Sequence, residues 1–125
     1  LELRRAMDRT AARRVRVILD ACFAAGAKSV SAPGRRSKSS SITGGLTFGE
    51  GKVALYSSRD NEESLESSRH RHGYFTYYLL DAWKKNMRAA DDVYRHIFDG
   101  VTRDTNNQQH PRKEYREAEG RVPIF

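Results

Sequence analysis

Val15-Arg16-Val17-Ile18-Leu19-Asp20-Ala21-Cys22 is the stretch on which the reading of this chain turns. Its first five residues are mostly β-branched or aliphatic, short and unbroken, and they predict a buried strand. Asp20 and Cys22 then fall at the strand's carboxyl end, and Phe23-Ala24-Ala25-Gly26 predicts a turn or helix start. In open α/β sheets, sites form just past the carboxyl ends of strands. A thiol on a turn entering a helix faces backbone N–H groups that favour the nucleophilic thiolate. The same position also suits a small buried cysteine that merely closes a strand.

Working outward, Leu1 to about Asp8 has helix-like spacing, with Leu3 and Met7 four apart. Residues 31–51 read as a long polar, basic linker punctuated by Pro33-Gly34, Gly44-Gly45 and Gly49. Lys52–Ser58 predicts a second strand, and Arg59–Ser68 an acidic loop. Tyr74 to about Lys85 predicts a helix whose apolar stripe is Phe75, Tyr78, Leu79 and Ala82, with Asp81, Lys84 and Lys85 on the outer face. Asp91-Asp92 is read as the cap of a further helix with Val93, Tyr94, Ile97, Phe98 and Val101 on its apolar side. His96 and His110 are read as surface residues. Asp104–Gly120 is polar, and Arg121–Phe125 predicts a short terminal edge strand because it contains Pro123. Strands alternating with helices predict an α/β layer with a mostly parallel sheet. Two or three strands are few for such a sheet, so further strands are expected to precede Leu1.

Composition narrows the function classes. At 125 residues the chain is one domain or part of one. A hydrophobic fraction of 38% supports a modest core, while the short apolar runs exclude a helical membrane span, and no secretory leader is expected. One cysteine excludes an internal disulfide framework, and a reducing, cytoplasmic setting is expected. The net charge of +7 resides in residues 1–40, which hold ten basic and three acidic residues; the remainder is neutral. A basic third can contact nucleic acid. The charge lies partly in a loop and lacks interleaved aromatics, so nucleic acid is not the expected partner.

Four segments, in order, carry a resemblance. Val17-Ile18-Leu19-Asp20-Ala21-Cys22-Phe23 resembles the strand and Asp-Ser/Ala-Cys motif of caspase-like cysteine peptidases, in particular the prokaryotic metacaspase-like branch. Val53–Ser58 with the loop to Glu66 resembles that family's next strand and substrate loop. His72-Gly73-Tyr74-Phe75-Thr76-Tyr77-Tyr78-Leu79-Leu80 is similar to its His-Gly-x-Phe-Thr helix start, and Gln109-His110-Pro111 to its late Gln-x-Pro element. The motif's Ser-Gly is replaced by Ala24-Ala25. The resemblance spans nearly the whole chain. It implies that residues 1–125 are the C-terminal part of one caspase-like domain, a three-layer sandwich in which a mostly parallel sheet is flanked by helices and of which this chain supplies only part.

By the same resemblance, Cys22 matches the nucleophile, and Asp20 and Asp60 match S1 carboxylates. Two carboxylates in one pocket suit a cation, so the implied activity is an endopeptidase cutting polypeptides after Arg or Lys. No histidine precedes Cys22. The general base is therefore expected on an upstream segment or chain, which would be an obligatory partner. Arg35, Arg36 and Lys38 in the linker are candidate self-cleavage sites, since they match that specificity. Asp60, Glu62, Glu63 and Glu66 raise calcium, on which some members of the family depend, although their spacing matches no calcium loop; no cofactor is expected, and calcium stays open. The alternative reading is a catalytically inactive caspase-like module that binds a protein partner.

Overall fold

The computed structural model describes residues 6, 9–20, 49–59 and 62–125. Within them, β1 (Val15–Leu19) pairs in parallel with β2 (Lys52–Tyr56), with Val15 opposite Lys52 and Leu19 opposite Tyr56. β5 (Arg112–Glu114) pairs antiparallel on the other side of β2, so the sheet order is β1-β2-β5. The chain is thus α/β with a mixed sheet. The mostly parallel sheet expected from the alternation is corrected by β5, whose Arg-Lys-Glu sequence carries no apolar signal. A separate two-stranded hairpin joins β3 (Glu66–Ser67) to β4 (His72–Gly73), with Arg71 in the left-handed region at its turn.

The two faces of the sheet follow from the register. Val53 and Leu55 face the helices α1 (Tyr74–Lys84) and α2 (Ala90–Asp104) and share a core with Phe75, Tyr78, Ala82, Val93, Ile97 and Val101. Ala54 and Tyr56 face the other way and pack with Val15, Val17 and Leu19. β2 is buried on both faces, which explains its continuous apolar sequence. Each aliphatic side chain so buried stabilises the fold by roughly 1.5–3 kcal/mol. Tyr78 bonds Asp104 near the end of α2 while Asp81 bonds His96 near its middle, so the two helices run antiparallel. Asn86, at positive φ, ends α1 while the Met87 N–H returns to the Ala82 carbonyl at 3.0 Å.

Several expectations at the element ends are corrected. α2 begins at Ala90 with Ala89 as its N-cap, so Asp91 and Asp92 lie in its first turn and do not cap it. They still place negative charge at the positive end of the helix. Asp81 is not on an outer face: it is half-buried and bonds His96 at 2.7 Å and Lys85 at 2.9 Å. The terminal segment forms only a single bridge, Ala89 with Pro123, because a proline has no N–H to extend a ladder. No helix among the described residues is long and apolar enough to cross a membrane. The helix expected over Leu1–Asp8 and the linker over 31–48 lie outside the described residues.

Candidate functional site

The carboxyl ends of β1 and β2 lie side by side because the two strands are parallel, and the Ser57 N–H extends their ladder by bonding the Leu19 carbonyl at 2.9 Å. Asp20 follows β1 and is exposed. Its Oδ2 accepts a hydrogen bond from the Thr76 hydroxyl in the first turn of α1 and lies close to Gly73, 3.4 Å from where a Cβ would stand. The start of α1 has no side-chain cap of its own and no acidic residue in its first turn. The Asp20 carboxylate therefore supplies the negative charge that a helix N-terminus favours, an effect of about 0.3–1 kcal/mol at an exposed site. Among the described residues, no Lys or Arg forms an ion pair with Asp20. It presents an anionic group at the sheet edge where ligands of α/β folds bind.

The second strand end is built very differently. Ser57 and Ser58 are buried at 0% and 1% exposure. Ser57 and Ser64 share a hydroxyl–hydroxyl hydrogen bond, and the Ser58 hydroxyl donates to the Glu62 carbonyl at 3.2 Å. Gln109, also fully buried, clamps the two ends of this loop. Its Nε2 donates to the Ser57 carbonyl at 2.8 Å, and its Oε1 accepts from the Leu65 N–H at 2.8 Å. Next to it, Glu62 Oε2 accepts from the His110 N–H at 2.7 Å, and Glu62 Oε1 meets His110 Nδ1 at 2.6 Å. The loop after β2 is thus held at both flanks by Gln109-His110.

Of the residues expected to form a site, the structure describes only Asp20. Cys22, Asp60 and the candidate cleavage residues Arg35, Arg36 and Lys38 lie outside the described residues. The histidines are mostly engaged. His70 stacks on Tyr77 with ring centroids 3.7 Å apart, His96 bonds Asp81, and His110 bonds Glu62. The surface assignment of His96 and His110 is corrected: their side chains are 19% and 18% exposed, each against a carboxylate. His72 is exposed on β4. Among the described residues, no three His, Cys, Asp or Glu side chains converge as metal ligands would, and both oxygens of Glu62 are already bonded.

Two contacts escaped the sequence. Thr76 as the partner of Asp20 has one local signal, a hydroxyl residue in the first turn after an uncapped helix start. The Glu62–His110 contact has none, because it joins segments whose proximity only the fold determines. No family model, no curated protein and no solved structure matches the chain.

Proposed function

We propose that this chain is the C-terminal part of a caspase-like cysteine endopeptidase domain, with the three-layer sandwich completed elsewhere, that cleaves polypeptides after Arg or Lys. The observation that supports this reading best is Asp20. It is an exposed carboxylate at the carboxyl end of a parallel strand, fixed at the start of α1 by Thr76, two residues before the only cysteine. In this reading the Cys22 thiolate attacks the scissile carbonyl carbon, forming a C–S bond. A histidine from an upstream segment or chain protonates the departing amine, and water then releases the acyl group and restores the thiol. Asp20 and Asp60 receive the P1 cation, Asp20 with its orientation set by Thr76. Asp60 falls in the loop whose flanks are held by Gln109 and His110. The setting proposed is cytoplasmic, in keeping with one unpaired cysteine.

The test is hydrolysis of fluorogenic peptides with Arg, Lys or Asp at P1 by the full-length protein that contains this chain, beside its Cys22→Ala variant, with and without calcium. Cleavage after Arg or Lys that disappears in Cys22→Ala is the expected result. Cleavage after Asp would remove the roles given to Asp20 and Asp60, and no Cys22-dependent cleavage would sink the peptidase reading. One observation favours the second reading, a catalytically inactive binding module: three of the four histidines are committed to Tyr77, Asp81 and Glu62.

A further inference from the structure

A cavity of about 520 Å³ lies between the side of α2 and β5, lined by none of the residues considered above as site residues. Its walls are aromatic: Tyr94, Phe98 and Tyr115. The ammonium of Lys113 stands 5.2 Å from the centre of the Tyr94 ring and 4.8 Å from that of Tyr115, both within cation–π range. Asp91 Oδ1 lies 3.3 Å from the same nitrogen. Both tyrosine rings are fixed by their hydroxyls. The Tyr115 hydroxyl donates to Asp91 at 2.6 Å, and the Tyr94 hydroxyl donates to the Pro111 carbonyl at 3.1 Å. Phe98 packs 5.7 Å from Tyr94 as a third wall.

We propose that this cavity is a binding site for an alkylammonium cation, a quaternary ammonium or a methylated lysine, and that Lys113 is its built-in competitor. Two aromatic faces and a carboxylate are the chemistry that recognises such a group. The volume is that of a small-ligand site and exceeds what one ammonium fills. Charge points the same way. Asp91 and Glu117 line the cavity against Lys113 and Arg95, so withdrawal of Lys113 leaves one uncompensated negative charge. Once Lys113 withdraws, an anion would meet two ring faces and two carboxylates, with Arg95 as the one cation left to oppose them. Lys113 is 43% exposed and holds its place by contacts that are individually weak, so its flexible stem can leave without disturbing the core. The rings, pinned by their hydroxyls, need no reordering to receive a guest.

The test is an NMR titration of the Tyr94 and Tyr115 ring resonances with choline, with a short peptide carrying trimethyllysine, and with 3,3-dimethylbutanol as the neutral isostere of choline. Wild-type protein should bind the cations weakly. Lys113→Ala should bind them tighter by about five- to thirtyfold, the occupancy that two exposed cation–π contacts give the resident ammonium, its exposed ion pair adding little. Whichever of choline and the peptide binds tighter identifies the source of the group. Tyr94→Leu should lose the binding; the Lys113→Ala comparison stands even if that variant does not fold. Equal shifts with dimethylbutanol would overturn the proposal, as would no tightening in Lys113→Ala or larger shifts with inorganic phosphate than with choline. None of these outcomes depends on peptidase activity.

Discussion

Replacing Gln109 with Met keeps the volume of a fully buried side chain and deletes both ends of its clamp. The Ser57 carbonyl loses its donor at 2.8 Å, and the Leu65 N–H loses its acceptor at 2.8 Å. A buried polar group left unsatisfied costs about 1–3 kcal/mol, so the two together cost about 2–6. The amide no longer has to be desolvated, which offsets about 1–3 kcal/mol. A net loss of about 1–3 kcal/mol, centred near 2, is expected. With a urea slope of about 1–3 kcal/mol/M, the unfolding midpoint should fall by about 1–2 M. Hydrogen exchange supplies the local readout: the Leu65 amide should lose its protection while the Val93 amide, bonded to the Ala89 carbonyl at 3.0 Å, keeps its own. Gln109→Glu sharpens the test. Its carboxyl keeps the acceptor for Leu65 but must be protonated to donate to Ser57, so burial raises its folded pKa. Its contribution is therefore fully present below the ordinary carboxylate range and lost as pH rises through the folded value. A midpoint within 0.3 M of wild type for Gln109→Met, roughly the error of such a fit, with Leu65 still protected, would refute the clamp.

Gly100→Ala should destabilise even though alanine is the better helix former by about 1 kcal/mol. A Cβ there would fall within 2.5 Å of three Tyr78 ring carbons, and the ring is tethered by its hydroxyl to Asp104 and Arg103. Overpacking of about 1–3 kcal/mol should outweigh the propensity gain, and Tyr78→Leu should make the alanine neutral or better; thermal melts of the single and double variants check this. Stability should also fall on the acid side. Asp104 is held below the usual carboxylate range chiefly by the Tyr78 hydroxyl, Asp81 by Lys85 and then His96, and Asp91 by the Tyr115 hydroxyl. Groups with depressed pKa values contribute above their unfolded range, near pH 4, and lose that contribution as pH falls through their folded values. Urea melts from pH 7 to pH 2 should show the decline, and Asp104→Asn should flatten it; an unchanged slope would count against this assignment.

The elements that could be read from the sequence were those whose own residues carry the signal. Val15–Leu19 is a strand with the expected bounds, though Arg16 and Ile18 are exposed where a buried strand was expected, and α1 starts at the expected Tyr74 because the Phe75, Tyr78 and Ala82 stripe is strong. β5 was hidden because Arg112, Lys113 and Glu114 are polar. Pairing with β2 makes that segment a strand, aided by the Tyr56 hydroxyl on Glu114 at 3.3 Å. The hairpin of β3 and β4 was hidden because two-residue strands have no periodicity to detect. At the candidate site, the place of Asp20 just past a strand was legible from the apolar run before it. Thr76, Gln109 and the Glu62–His110 pair act across long sequence separations, and pattern alone does not bring such residues together. His96 and His110 looked like surface residues because their neighbours in sequence are polar, yet carboxylates on other elements receive them.

The parallel pairing of β1 with β2 has a consequence for covalent continuity. An antiparallel hairpin needs its turn, but a parallel pair needs only that the connection be long enough, and residues 20–51 lie between these two strands. The register from Val15–Lys52 to Leu19–Tyr56 is set by the ladder and by the packing of Val17 and Leu19 on Ala54 and Tyr56. A cut anywhere along that connection would leave these contacts chemically intact. What would change is molecularity. The strand bearing Asp20 would become a second chain, kept in place by an association constant and no longer by a tether worth a millimolar-scale effective concentration. A nicked protein would therefore hold its sheet together when concentrated and come apart on dilution.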